Sequence, residues 1–207
     1  MANTKPAGNK HQLRTRETQT RILAAAEVIF SKQGFENTQL EQVAARAGYT
    51  RGAIYAHYSD KEDLFLALMR HQVLTQFTAI RRAIEAEPKL SKRLGIFKRW
   101  IASQVNDRYW SMLILEFKLY VLRRPRSRQK LLHAYDSMRR LSGGDFIEVL
   151  FGENLDKPSR AAIERRLTLI GAILGAVVLE SHLRPKLFTK PLLQPVLEDL
   201  CDALLHA

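Results

Sequence analysis

Apolar residues recur at three- and four-residue steps along most of the chain, which is the spacing of amphipathic helices. The first such helix begins near Thr15, and Gly34 is expected to end it in a left-handed conformation. Its apolar face consists of Ile22, Leu23, Ala26, Ile29 and Phe30. No alternation of apolar and polar residues is long enough to indicate a sheet strand. The pattern therefore predicts an all-α fold.

Two short helices and a longer one follow, and each begins at a capping signal. Thr38–Glu41 has the order of a capping box, and the helix that it opens is expected to stop at Gly48. Thr50 caps a third helix over Arg51–His57, and Ser59–Glu62 is a second capping box that opens the long fourth helix. Two compact helices joined by a turn that contains glycine form a helix-turn-helix, which places its second helix in the major groove of DNA.

The rest of the chain also has helical periodicity, with prolines at or near the junctions. Further helices are predicted at residues 89–104, 107–122, 126–150, 158–182 and 189–206. Residues 1–13 contain Pro, Gly, Asn and lysines without a hydrophobic period, so a disordered basic arm is expected there. Residues 14–60 then form the helix-turn-helix domain, and residues 61–207 form a second helical domain.

Charge and cysteine content narrow the class of protein. The 207 residues carry a formal net charge of +12 and a pI near 10.1, which favours a polyanionic partner. The single Cys201 excludes an internal disulfide and a metal site built from several cysteines, and no cofactor or metal is expected. The longest apolar stretch, Leu167–Leu179, is interrupted and too short to span a bilayer, and no signal-peptide pattern opens the chain. A soluble cytoplasmic protein is therefore expected.

The segment from Thr20 to Leu68 carries many residues in one register: ILAAAEVIF, GF, Thr38, VA, AGYT, Gly52, IYAHY and KEDL. This segment resembles the N-terminal DNA-binding domain of the TetR family of bacterial transcriptional regulators. The rest of the chain shares only the general all-helical layout of that family. Two positions depart from the family pattern, since Tyr49 stands where Val is usual and Tyr58 stands where Phe is usual.

A recognition helix that begins at Thr50 exposes its first turn, so Arg51 and Ala53 are placed to meet base edges. Arg51 can pair with both major-groove acceptors of guanine, or equally grip a phosphate. Gly52 would let the helix backbone come close to the duplex. Thr38 and Thr50 stand at helix N-termini, which favour a phosphate. In the resembling family, the backbone of DNA is commonly held by the positions that correspond to Tyr55, His57 and Lys61.

A regulator needs an input, and the central helices are rich in the large apolar side chains that enclose small ligands in helical bundles. The candidate effector contacts are Phe97, Trp100, Trp110, Met112, Glu116, Phe117, Tyr120 and Tyr135. Packing of the aromatic residues into an ordinary core is the alternative interpretation. Glu116 lies inside an apolar run and needs a partner, which is either an effector or a basic residue such as Lys118 or Arg123.

The last two helices have features of a helix–helix interface, with small residues in the first and a leucine-rich seam in the second. The candidate dimer contacts are Gly171, Leu174, Gly175, Val178, Leu193, Leu197, Leu200 and Leu204. In the resembling family the last two helices pair with their symmetry mates in a four-helix bundle, whereas closure of the monomer's own core is the alternative. A two-fold dimer sets two recognition helices about 34–36 Å apart, so a palindromic operator is expected.

Together these features predict a TetR-like transcriptional repressor that acts as a homodimer on double-stranded operator DNA and is released by a small-molecule effector. An activator or a ligand-independent regulator of the same fold is the first alternative. A helical enzyme is the alternative from another class, but the chain has no HExxH, GxSxG or Walker loop. An architectural basic protein is disfavoured by the ordered recognition turn.

Overall fold

The computed structural model describes residues 10–126, 128–129, 131–133, 137, 146–152 and 156–205. Its helices are α1 Lys10–Asn37, α2 Leu40–Ala47, α3 Arg51–Tyr55, α4 Lys61–Glu85, α5 Leu90–Ser103, α6 Arg108–Leu122, α7 Phe146–Phe151, α8 Lys157–Leu183 and α9 Lys190–Leu205. A 3₁₀ turn, Gln104–Asn106, follows α5. These ranges contain no strand, and the predicted all-α class with an N-terminal helix-turn-helix is confirmed. Much of the helix predicted at 126–150 lies outside the described residues.

The chain divides into two compact units, Met1–His71 and Gln72–Ala207, and the division falls within α4. The sequence placed this boundary earlier, after Asp60. The structure also corrects the extent of the N-terminal arm, because α1 begins at Lys10 and residues 10–13 are helical. Lys10, Gln12 and Leu13 are good helix formers, so the helix begins before the position that the sequence indicated. Residues 1–9 lie outside the described residues.

An apolar core to which all four helices contribute holds the first unit together. Its fully buried members include Ile22, Phe30, Val43, Ile54, Leu64 and Phe65. The ring centroids of Phe30 and Phe65 lie 4.9 Å apart, and those of Phe35 and Phe65 lie 5.1 Å apart. Burying one such side chain stabilises a fold by about 1.5–3 kcal/mol. The short α3 is therefore fixed to the unit mainly through Ile54, the one residue of its five that is buried.

The turn between α1 and α2 differs from the sequence-based prediction. Gly34 has a positive φ of 75°, as expected, but helical structure resumes after it and runs to Asn37. The hydroxyl of buried Thr38 donates to the Gly34 carbonyl at 2.7 Å, so it closes α1 and does not open α2. Instead, the backbone N–H of Gln39 donates to the side chain of Gln42 at 3.3 Å. The predicted Thr38–Glu41 capping box is therefore wrong.

The start of α4 is capped one residue later than the sequence indicated. The carboxylate of Asp60 accepts the backbone N–H of Asp63 at 2.8 Å, and the carboxylate of Asp63 accepts the backbone N–H of Ser59 at 3.0 Å. Two aspartates thus satisfy N–H groups that the helix itself leaves unpaired. Glu62, which was expected to complete the box, is exposed.

The second unit has two apolar clusters between its helices. The larger one joins α4, α5, α7, α8 and α9, and its buried members are Ile80, Ile84, Leu94, Phe97, Ile101, Leu150, Ile170, Cys201 and Leu205. The smaller one joins the 3₁₀ turn with the end of α8 and the start of α9 through Val105, Val178, Leu193 and Leu197. Both clusters place one side of α9 against α5 and α8 of the same chain.

Candidate nucleic-acid interface and ligand cavity

The turn that presents α3 is built by one glycine and one threonine. Gly48 ends α2 in the left-handed conformation, with φ 75° and ψ 30°, and the next residue, Tyr49, donates its N–H to the Ala44 carbonyl at 2.9 Å. The Thr50 hydroxyl then accepts the backbone N–H of Ala53 at 3.3 Å, as the sequence predicted. These bonds end one helix and begin the next within two residues, which fixes the direction of α3.

The outer face of α3 consists of its first turn. Arg51 and Gly52 are exposed, Ala53 is half-buried, and Ile54 faces the core. A Cβ added to Gly52 would meet nothing closer than the Thr50 hydroxyl oxygen at 3.9 Å, which is ordinary van der Waals contact. The fold itself therefore does not require glycine at this position. Because Gly52 has no side chain, its backbone is left uncovered between the side chains of Arg51 and Ala53.

Arg51 is held by one residue of α2 and one of α3. Its Nε lies 3.0 Å from Oε1 of Glu41, and its guanidinium carbon lies 5.3 Å from the centroid of the Tyr55 ring. The Arg51 side chain is nevertheless 68% exposed. The sequence did not indicate this pairing, because Glu41 and Arg51 belong to different helices and no helical spacing relates them. Glu41 is thus a residue of the site that sequence reasoning missed.

The candidate phosphate contacts lie in different environments. Lys61 opens α4, donates from Nζ to the Glu36 carbonyl at 2.9 Å, and lies 4.8 Å from the centroid of the Phe35 ring. His57 is half-buried beside Tyr58, and Tyr55 is exposed. Thr38 has almost no accessible surface. Thr50, Tyr55, His57 and Lys61 therefore have some surface to offer to a partner, whereas Thr38 is a structural residue in this state.

The two departures from the expected family pattern have different roles. Tyr58 is buried, and its pKa is raised, first by this burial and then by the negative charge of Asp63. Tyr49 is half-buried, and the guanidinium carbon of Arg21 lies 5.1 Å from its ring centroid. Arg21 also lies over the turn, since a Cβ on Gly48 would come within 3.2 Å of its guanidinium. Tyr58 is thus a core residue, and Tyr49 together with Arg21 covers the turn before α3.

The aromatic residues that were expected to line an effector pocket pack against one another. The ring of Trp100 lies 5.6 Å from that of Phe77 and 6.0 Å from that of Phe97, and Phe146 lies 5.7 Å from Phe97 between ring centroids. Ring pairs at such distances are typical of a packed core. Phe117 and Tyr120 are buried, whereas Trp110, Met112 and Glu116 are half-buried. Tyr135 lies outside the described residues.

A cavity of about 230 Å³ lies elsewhere in the second unit. It is lined by Ala102, Val105, Ser181, His182, Phe188, Leu193 and Gln194, from the end of α5, the 3₁₀ turn, the end of α8 and the start of α9. The residues predicted to contact an effector do not line it. His182 has its Nε2 atom buried without a hydrogen-bond partner in the described part of the chain, and its pKa is lowered by burial and then by the charge of Arg108.

The predicted dimer seam faces the protomer's own core. Val178, Leu193 and Leu197 are buried there, and Leu174, Leu200 and Leu204 pack against the same clusters. Gly171 has open space around it, whereas a Cβ on Gly175 would come within 2.8 Å of Lys118 Nζ of the same chain. For the leucine seam of α9, the alternative of core closure therefore describes this protomer.

A different apolar surface of α8 and α9 is exposed. It comprises Leu169, Ala172, Ala176, Leu179 and Leu183 of α8 with Leu192, Val196 and Ala203 of α9, and is called the C-terminal stripe below. The α8 members follow three- and four-residue steps, so they share one side of that helix. Exposed large apolar side chains that share one side of a helix mark an interaction site more often than scattered leucines do.

No group of three or more His, Cys, Asp or Glu side chains in the described ranges is arranged to hold a metal ion. Nor does any helix there combine the length and apolar character that crossing a bilayer requires.

Residues 22–68 match the family model described as bacterial regulatory proteins, tetR family. The regulator AcrR of Shigella flexneri is 48% identical over 56 residues, 27% of this chain and 26% of the relative. TtgR of Pseudomonas putida is 36% identical over 91 residues, 44% of this chain and 42% of the relative. The chain thus matches less than half the length of these two relatives, both of which are named transcriptional regulators.

Solved structures resemble the whole chain at low identity. A transcriptional regulator from Rhodococcus sp. Rha1 matches 91% of this chain and 96% of its own, with a TM-score of 0.67 and 20% identity. The regulator FadR from Bacillus subtilis, solved in complex with stearoyl-CoA, matches 88% and 96% with a TM-score of 0.63 and 17% identity. Such likeness shows the fold of both units, while the match of residues 22–68 shows a DNA-binding domain like that of the TetR family of bacterial regulatory proteins.

Proposed function

We propose that this protein is a sequence-specific transcriptional repressor that binds a palindromic operator as a homodimer and is released by a small-molecule effector. The observation that carries the proposal is the exposed first turn of α3, which is fixed in direction by Gly48 and Thr50. A short helix whose N-terminal turn is exposed and carries an arginine fits the major groove and can read base edges there. The net charge of +12 favours the same polyanionic partner.

Within this interface, Arg51 and Ala53 read bases, and Gly52 lets the backbone approach them. Thr50, Tyr55, His57 and Lys61 contact phosphates, so they position the protein without reading sequence. Thr38 is left out of the proposed interface because its side chain is buried. A good bidentate contact between arginine and guanine discriminates against other bases by about 1–3 kcal/mol. Arg51 is therefore the residue from which we expect the largest effect on operator preference.

The proposed dimer uses the C-terminal stripe and not the leucine seam that the sequence suggested. The stripe offers exposed large side chains at Leu179 and Leu183 of α8 and at Leu192 and Val196 of α9. Two copies related by a two-fold axis would bury the same surface from each chain. The two copies of α3 would then meet half-sites one turn of duplex apart, which gives the operator its palindromic form. A bacterial regulator that binds chromosomal DNA would act in the cytoplasm.

For the effector we propose the cavity between α5, α8 and α9. Its volume of about 230 Å³ and its mixture of Val105, Phe188 and Leu193 with Ser181 and His182 suit a small, mostly apolar molecule that has one polar group. The pKa of His182 is lowered by burial and by the positive charge of Arg108. The same two factors disfavour a cationic ligand beside it, so an uncharged polar group fits this wall better. Release from DNA requires the effector to bind one conformation of the chain more tightly than the DNA-bound one.

The test is a selection of bound sites from random duplexes, followed by gel-shift titration of the selected site against scrambled DNA at several salt concentrations. We expect a palindromic consensus and a steep decrease of affinity with salt. Arg51→Ala should narrow the difference in affinity between selected and scrambled DNA, whereas Lys61→Ala should weaken binding to both and flatten the salt slope by about one unit. Equal affinity of the wild-type protein for both duplexes would refute the proposal.

Activation of transcription is the second candidate function. FasR of Mycolicibacterium smegmatis, which is 28% identical over 93 residues, is named a transcriptional activator. A reporter gene under the selected operator separates the two functions, because its expression rises on deletion of a repressor and falls on deletion of an activator.

Thermal-shift screening of small molecules, repeated on Phe188→Ala, tests the effector cavity. A ligand that stabilises both proteins equally does not bind there.

A further inference from the structure

The ion pair between α2 and α3 constrains which atoms of Arg51 are available. Oε1 of Glu41 lies 3.0 Å from Nε of the Arg51 guanidinium, and the Tyr55 ring lies against one face of the same group. The two terminal nitrogen atoms, Nη1 and Nη2, have no hydrogen bond among the described residues. A guanidinium has five N–H groups in a rigid fork, and four of them are on the terminal nitrogen atoms, away from the Nε that Glu41 approaches. Arg51 can therefore meet a partner end-on.

An end-on guanidinium matches guanine, whose O6 and N7 acceptors are read by two parallel N–H groups in the major groove. A freely rotating arginine could also turn its Nε edge toward the bases or lie along the phosphates. Glu41 and Tyr55 restrict both motions, one by charge and one by contact with the ring. Holding the side chain in place before binding reduces the conformational entropy lost on binding.

We propose that Glu41 is a specificity-determining positioning residue, which holds Arg51 so that its terminal nitrogen atoms read one guanine in each half-site. The proposal rests on the proposed function, since it assumes that α3 meets base edges. Glu41 contacts no base in this arrangement and acts through Arg51 alone. Its negative charge opposes binding to phosphates in general, so it weakens affinity for every duplex while it sharpens the choice among them.

The experiment measures base preference directly. Each base pair of the selected half-site is replaced in turn, in both halves together, and the loss of affinity is measured by competition titration. Arg51→Ala identifies the pair that Arg51 reads. At that pair Glu41→Ala should reduce the preference for guanine by about two- to five-fold per half-site, the range that exposed ion pairs contribute to an equilibrium. Glu41→Gln, which keeps an oxygen able to accept from Nε, should lose less.

The matched control is Glu62→Ala, which removes the same charge from an exposed position in the first turn of α4. Both variants should bind all duplexes more tightly, but only Glu41→Ala should alter the preference at the pair that Arg51 reads. Addition of Glu41→Ala to Arg51→Ala should cause no further loss of preference, because nothing remains to be positioned. Thermal unfolding of each variant excludes loss of folding as the cause.

Three results would overturn the positioning role. The first is a Glu41→Ala profile identical to that of Glu62→Ala at every base pair. The second is a change at a G·C pair other than the one that Arg51 reads, since this indicates a direct contact between Glu41 and the cytosine amino group of that pair. In both cases a wild-type preference for the operator leaves the proposed function intact. The third is a flat wild-type profile, which refutes the proposed function and the positioning role with it.

Discussion

Replacement of Leu183 by alanine tests the proposed dimer face at the most exposed of its large side chains. Leu183 ends α8, and its relative exposure in the isolated chain is 66%. Because the side chain contributes little to the core of its own chain, its removal should leave the folded protomer almost unchanged. In a two-fold dimer, the same substitution removes the contact from both copies.

The size of the effect follows from this exposure. Full burial of a leucine side chain is worth about 1.5–3 kcal/mol. Burial of the exposed 66% in the dimer is therefore worth about 1–2 kcal/mol for each chain, and about 2–4 kcal/mol for the pair. Since a factor of ten in an equilibrium constant corresponds to about 1.4 kcal/mol, the dissociation constant of the dimer should rise by about 30- to 700-fold.

Sedimentation equilibrium over a range of concentrations measures the dissociation constant. Leu122→Ala is the matched control, because Leu122 is also 66% exposed but lies at the end of α6, outside the C-terminal stripe. The control should sediment as the wild type does. An unchanged dissociation constant for Leu183→Ala, or an equal shift for both variants, would show that the stripe is not the dimer face. So would a wild-type protein that stays monomeric at micromolar concentration.

Three further substitutions or measurements test the fold and the cavity. Gly48→Ala should lower the free energy of unfolding in urea by about 1–2 kcal/mol, because φ is positive there and the added Cβ approaches Arg21, whereas Gly52→Ala should leave it nearly unchanged; equal losses would contradict this. Burial raises the pKa of the Cys201 thiol to about 11, so iodoacetamide at pH 8 should label it only in urea, and labelling of the native protein would show that the site opens. In the folded chain the pKa of His182 is lowered from its usual 6.5, so its contribution to stability is present above that pH and is lost as the pH falls through the folded pKa. Urea unfolding at pH 7.5 and pH 5 should therefore show a smaller difference between the two pH values for His182→Asn than for the wild type, and equal differences would contradict the lowered pKa.

Local signals in the sequence were sufficient where one residue decides the geometry. Gly48 and Thr50 fix the turn before α3 by backbone conformation and a single hydrogen bond, and both were predictable from residue type and order. Residue order did not identify the capping residues of α2 and α4, because several polar side chains near each helix start can accept its first N–H groups. Thr38 bonds back to Gly34 and leaves the cap of α2 to Gln39, which no pattern in the sequence distinguishes.

Periodicity located the last helix but did not reveal which of its sides is internal. α9 has apolar residues on two sides, with Leu193 and Leu197 on one and Leu192 and Val196 on the other. The choice between them depends on how α5 and α8 pack against α9, and α5 lies far from α9 in the sequence. The same reason explains the cavity, whose walls come from two distant segments, residues 102–105 and 181–194. The pair Glu41 and Arg51 was missed because it too joins separate helices.

The brevity of α3 has a consequence for how proteins with this helix-turn-helix domain diverge. A helix of five residues is far too short to be stable in isolation, since nucleation outweighs so few hydrogen bonds. Its order is supplied by Thr50 at the start and by the buried Ile54, and neither of these is a proposed base reader. Residues 51 and 53 can therefore change during evolution with little effect on folding. A descendant of this chain can acquire a new target sequence while it inherits an unaltered scaffold.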